Sequence, residues 1–239
     1  PYGCPLIHHS LSLTNGILLA PVTSAAGPLT AYGVAFFLWA ILTGIGGALW
    51  SKRWLGAREG IWLAGFFLTF SAYRFAHLDH LNLFTTAGIP WCFWAIDQLV
   101  ERRRLKEAAI CSGLWILTAF SCWYYGIIVG LYWIVRVTLS WRKDRSVRDT
   151  LPAFIPVVCV GAVVFLYLHL PLPGRSVEPD PIPLPVAVYW SMSLEDLVRP
   201  FMSAQPEAEF QVQLGLLFLL LVVLGSLRKH EGRSLLLGI

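Results

Sequence analysis

The chain has 239 residues, 56% of them hydrophobic and 13% charged, with a net charge of +4 and a mean hydropathy of +0.64. A soluble domain normally carries about 25% charged residues, so this composition argues against a water-soluble fold and for several membrane segments. Eleven Trp fit that class, since amphipathic rings favour bilayer interfaces.

Residues 1–28 mix His8, His9, Ser10 and Asn15 with a short apolar patch, Ile17 to Val22. They read as the end of an outer loop with an interfacial or re-entrant segment, because the patch is too short to span. The chain opens on Pro1 and stops as a new apolar run begins, the pattern expected of an internal fragment of a longer protein. Leu29 to Trp50 is uncharged and at 1.5 Å per residue reaches ~33 Å, enough for one crossing. Lys52, Arg53 and Arg58 follow, and a second span starts at Ile61 and runs into FSAYRFAHLDHLN, Phe70 to Asn82. After a turn with Thr85, Thr86 and Gly88, Pro90 starts a helix that carries Trp91 to Val100 back to Arg102, Arg103, Arg104 and Lys106. Ala108 to Cys122 rises to Trp123, Tyr124 and Tyr125, and Ile127 to Trp141 returns to Arg142, Lys143, Arg145 and Arg148. Leu151 to Leu170 crosses again despite Pro152 and Pro156. Residues 171–210 form a Pro-rich outer loop, and residues 211–239 hold a final span, Arg228, Lys229 and Arg233, and the start of a further segment. The expected fold is all-α: a polytopic transmembrane helix bundle of about seven crossings, with its core in residues 29–170.

Fourteen of the eighteen Lys and Arg fall in four alternate loops, which the positive-inside rule makes cytoplasmic. The net charge is thus a topology signal rather than a footprint for nucleic acid, and membrane lipids are the expected surroundings. The five Cys form no CxxC pair and no metal-ligand spacing, so neither a disulfide framework nor a zinc site is expected.

Phe70 to Asn82 concentrates ionisable groups at a span's outer end, which marks a candidate site. Read as a helix, it places Tyr73, His77 and His80 on one face at i, i+4 and i+7, with Arg74 beside them and Asp79 opposite. A guanidinium fork among imidazoles suits an anionic group such as a phosphate. The same groups also fit an interfacial helix end meeting water and headgroups, or two ligands of a metal, which is half a site. Trp123, Tyr124 and Tyr125 fit either a contact for sugar or lipid or an aromatic belt. Asp97 and Arg136 are the charges within spans, both near cytoplasmic ends. Ser193 to Asp196 matches a helix-capping pattern, and Glu178 and Asp180 lie in an extended Pro-rich stretch. No Gly-rich phosphate loop, nucleophile elbow or HExxH motif occurs.

The run FSAYRFAHLDHLN after an apolar span, Pro90, the basic ERRRLKE loop, a span ending in SCWYYG and the later SMSLEDLVRP resemble bacterial multi-spanning proteins of GT-C glycosyltransferase architecture. The resemblance implies transfer of a sugar from a polyprenyl-phosphate-linked donor at the outer face of the cytoplasmic membrane, for the cell envelope. It implies that Arg74, His77 and His80, with Tyr73, hold the donor phosphate. It also implies that the catalytic acidic residue belongs to a first outer loop upstream of Pro1, so the catalytic residue is unassigned here. No cofactor is implied, and a divalent metal stays open. The alternatives are a transporter or flippase for a lipid-linked or anionic solute, and a non-catalytic membrane protein.

Overall fold

The computed structural model describes residues 12–55, 58–78, 80–143 and 147–169. The expected Pro-rich loop and final span, with His8, His9, Asp79, Glu178, Asp180 and the capping pattern from Ser193 to Asp196, lie outside the described residues. Among those described, the regular elements are helices: α1 Leu13–Ser51, α2 Arg58–Thr69, α3 Ala72–Ala76, α4 Leu81–Phe84, α5 Gly88–Arg102, α6 Leu105–Ser121, α7 Trp123–Lys143 and α8 Val147–His169. One compact unit comprises Pro1–Phe70 and Asp79–Pro179, while Ser71–Leu78 belongs to another.

Helix α1 is two arms. Gly27 sits at φ 84° and ψ 166°, a backbone region open in practice to glycine alone, and Pro28 follows it. Asn15 donates to Thr85 over 2.9 Å, while Thr43 lies 3.4 Å from the neighbouring Thr86. On an unbroken helix Asn15 and Thr43 would stand ~42 Å apart at 1.5 Å per residue, so the chain folds back at Gly27. Residues 13–26, expected to be loop with an interfacial patch, are therefore a helical arm laid against residues 28–51. Leu19 from the first arm shares a core with Ala31, Ala35 and Trp39 from the second and with Phe84 and Ala87.

The second arm meets α2 through small residues. A Cβ on Gly65 would lie 2.6 Å from the Gly44 carbonyl oxygen, and one on Gly47 would lie 3.3 Å from the Gly65 Cα. Small residues at the seam let the two backbones come this close. The other core joins Cys92, Ile96 and Leu99 of α5, Ala108, Cys111 and Trp115 of α6, and Val129 of α7, with Ile155 of α8 against it. Arg103 closes the α5–α6 turn at φ 52°, a left-handed cap on a non-glycine residue.

Outward, the surface is apolar: Phe37, Trp62, Leu131, Leu151, Val158 and Phe165 are all more than half exposed. Among the described residues, α1 is the helix long and apolar enough to cross a membrane, and residues 28–51 alone reach ~36 Å. Helices α2, α5 and α6, of 12, 15 and 17 residues, reach about 18, 22 and 25 Å against a hydrocarbon core of about 30 Å. The apolar runs thus give helices of unequal reach.

Candidate functional site

Helix α3 does not continue through the stretch read as one helix. It ends at Ala76, and His77 at φ −117° and ψ 33° leaves the helical region. The i+7 relation between Tyr73 and His80 therefore no longer implies a shared face. What the short helix does build is local. The rings of Tyr73 and His77 lie 4.4 Å apart, and His77 Nδ1 is 2.8 Å from the Tyr73 carbonyl oxygen. A carbonyl only accepts, so Nδ1 carries the proton and Nε2 is the nitrogen left to meet a partner. Arg74 is 1% exposed and His77 4% exposed. Asp79 lies outside the described residues.

His80 is exposed and caps α4 through its carbonyl, which accepts from the backbone N–H of Leu83 and Phe84 at 2.9 and 2.8 Å. The three aromatics after α6 separate. Tyr125 is buried and donates to the Leu83 carbonyl; Trp123 packs against Phe120 and Tyr167. Tyr124, at 65% exposed, is the ring of the three that is open to a sugar or lipid.

A charge cluster at the basic end joins three segments far apart in sequence. Asp97, fully buried in α5, accepts from Arg136 Nε of α7 at 2.6 Å and from the Tyr132 hydroxyl at 3.0 Å to each oxygen. Arg53, just past α1, approaches its other oxygen at 3.6 Å and also pairs with Glu101. Burial holds the Arg53 guanidinium below its ordinary value, with Asp97 opposing that shift. Trp50 donates to the Tyr132 hydroxyl over 3.3 Å, Tyr132 stacks on Phe93 at 4.0 Å, and Arg136 lies 5.2 Å from the centre of the Trp54 ring. Two carboxylates and two guanidiniums balance, so the cluster is a neutral clamp across α1, α5 and α7. The sequence names Asp97 and Arg136 as within-span charges; it carries no signal for Arg53, 44 positions from Asp97.

Between the two arms of α1, the start of α5 and the end of α6 is a cavity of about 330 Å³, walled by Leu18, Trp39, Leu42, Trp91, Leu114 and Leu117 among others. Trp39 is 8% exposed and its indole N–H has no acceptor among the described residues. Leaving a buried donor unmet costs roughly 1–3 kcal/mol. No three His, Cys, Asp or Glu side chains converge among the described residues as a metal site requires. No protein-family model matches the sequence, and neither curated proteins nor solved structures yield a match.

Proposed function

We propose that this chain is a multi-pass membrane protein of GT-C-like architecture that transfers a sugar from a polyprenyl-phosphate-linked donor at the outer face of a bacterial cytoplasmic membrane. The observation that carries this reading is the burial of Arg74, 1% exposed, next to a His77 whose Nδ1 is committed to its own helical turn. The planar fork of a guanidinium matches phosphate oxygens, and attraction between charges is stronger out of water. In the transfer step an acceptor hydroxyl oxygen bonds to the sugar's anomeric carbon and the bond from that carbon to the lipid phosphate breaks. The phosphate leaves with the electron pair, and a carboxylate takes the acceptor's proton. Arg74 would stabilise the charge growing on the departing phosphate, and His77, its Nδ1–H committed to Tyr73, would join it only when doubly protonated, donating through Nε2–H. The apolar outer surface and the close α1–α2 seam support the membrane part of the reading.

The transporter alternative needs charges left to meet a moving solute, and Asp97 and Arg136 are bound to each other at 2.6 Å. The deciding experiment is the Arg74→Ala variant of the full chain in membranes, assayed with polyprenyl-phosphate sugars. Loss of one such donor is expected to lower turnover about 100-fold. Arg74→Lys, which keeps the charge without the fork, should fall between the two. Turnover unchanged in both variants overturns the role of Arg74.

A further inference from the structure

We propose that the cavity between the arms of α1, the start of α5 and the end of α6 takes up the methyl-terminated part of a bilayer lipid's acyl chain. Four hydroxyl-bearing residues stand in its wall, and each hydroxyl is turned to the backbone. Thr14 donates to the Leu117 carbonyl at 2.8 Å, Thr85 to Leu81 at 2.6 Å, Thr118 to Leu114 at 2.7 Å and Ser121 to Leu117 at 2.9 Å. The two indoles are closed off likewise: Trp91 donates to the Leu42 carbonyl at 2.9 Å, and the Trp39 nitrogen is enclosed by protein. Among the described residues the wall therefore presents methyl, methylene and ring carbon, with almost no polar surface.

That wall selects the occupant. Water needs about two to four polar partners, and a headgroup, carboxylate or ester would lose its hydration with nothing to replace it. Apolar cavities about half the size of this one, which measures about 330 Å³, stay dry and bind small hydrocarbons. Wall atoms that face a gap forgo dispersion contacts, so hydrocarbon is favoured there. At about 30 Å³ for a methylene-sized group, the space holds on the order of ten carbons of a chain. Leu18 and Leu117, both 50% exposed, belong at once to the cavity wall and to the apolar outer surface. A chain can therefore enter from surrounding lipid while its headgroup stays outside. This inference rests on the membrane part of the reading above, and not on Arg74 or sugar transfer.

The test places the full chain in phosphatidylcholine vesicles doped with the same lipid carrying a diazirine near the methyl end of one acyl chain, followed by irradiation and peptide mass spectrometry. Adducts are expected on buried Trp39 and half-buried Leu42 of the cavity wall, as well as on the outward-facing Leu131 and Phe165. Leu114→Trp, which fills the cavity, should lower labelling of Trp39 and Leu42 about tenfold and leave Leu131 and Phe165 unchanged. Leu18→Trp, at the half-exposed mouth where a larger ring need not disturb the core, should do the same. Absence of adducts from Trp39 and Leu42 while Leu131 and Phe165 are labelled overturns the proposal, as does Trp39 labelling that survives both variants. Displacement of the label by a polyprenol would assign the cavity to an isoprenoid chain and overturn the acyl assignment. Loss of adducts from Leu131 and Phe165 as well, with release of the chain by alkaline carbonate, is the separate signature that the membrane reading has failed and this proposal with it.

Discussion

Gly65 and Gly44 meet backbone to backbone: a Cβ on Gly65 would stand 2.6 Å from the Gly44 carbonyl oxygen. Backbone cannot swing aside as a flexible side chain does, so Gly65→Ala should force α2 off the second arm of α1. A loss of roughly 1–3 kcal/mol is expected, measured by denaturation in detergent. Gly33→Ala is the contrast, because nothing lies within 4 Å of its Cβ. It should be neutral or stabilising by about 0.5–1 kcal/mol, as for any helical glycine replaced by alanine.

The Asp97 clamp predicts a sign difference between single and paired changes. Asp97→Ala leaves Arg136 and Arg53 without their shared carboxylate, and an uncompensated buried charge costs about 3–5 kcal/mol. Asp97→Leu combined with Arg136→Met removes the pair together, while Arg53 keeps Glu101. The double variant should melt above Asp97→Ala in the same detergent. A double variant less stable than Asp97→Ala would show that the two side chains act separately.

At Gly27 any side chain meets a strained backbone, since φ is 84° and ψ 166°. Gly27→Ala should cost on the order of 1–3 kcal/mol even though nothing lies within 4 Å of its Cβ. Comparing thermal midpoints of Gly27→Ala and Gly16→Ala, which is equally open but lies within the helical arm, separates backbone strain from crowding.

Orientation in the membrane is testable with single cysteines placed in a chain freed of its native thiols. A cysteine at exposed Lys52 or Arg104 should resist membrane-impermeant maleimide added outside intact cells, and one at exposed Tyr124 should react. The reverse pattern would invert the proposed topology, and equal reactivity at all three would remove the multi-pass reading.

Much of the helical layout was legible because an uncharged run bounded by cations needs no partner to be recognised. Trp91 to Val100 lies inside α5, and Ala108 to Cys122 matches α6 within a few residues. The first arm of α1 was hidden because Gly16, Pro21 and Gly27 look like loop punctuation. Its helicity is held by contacts with residues distant in sequence, such as Thr85 and Leu117. The break at His77 was hidden for the opposite reason: no Gly or Pro from Phe70 to Asn82 announces it. Spacing alone identified Tyr73 and His77 as neighbours, and they are. The Arg53–Asp97 approach and the orphaned Trp39 depend on how segments assemble, which no local pattern encodes.

The cations that mark the basic side are partly cancelled once the chain is folded. Arg53 is shared by Asp97 and Glu101, Arg136 is matched to Asp97, and Arg102 faces Glu107. On the membrane reading, these charges act as orientation signals only while the helices are still apart, since acidic residues count little at that stage. Topology is then a kinetic record of insertion order. After assembly, electrostatic neutrality at that end would let the clamp hold an orientation that its own net charge no longer specifies.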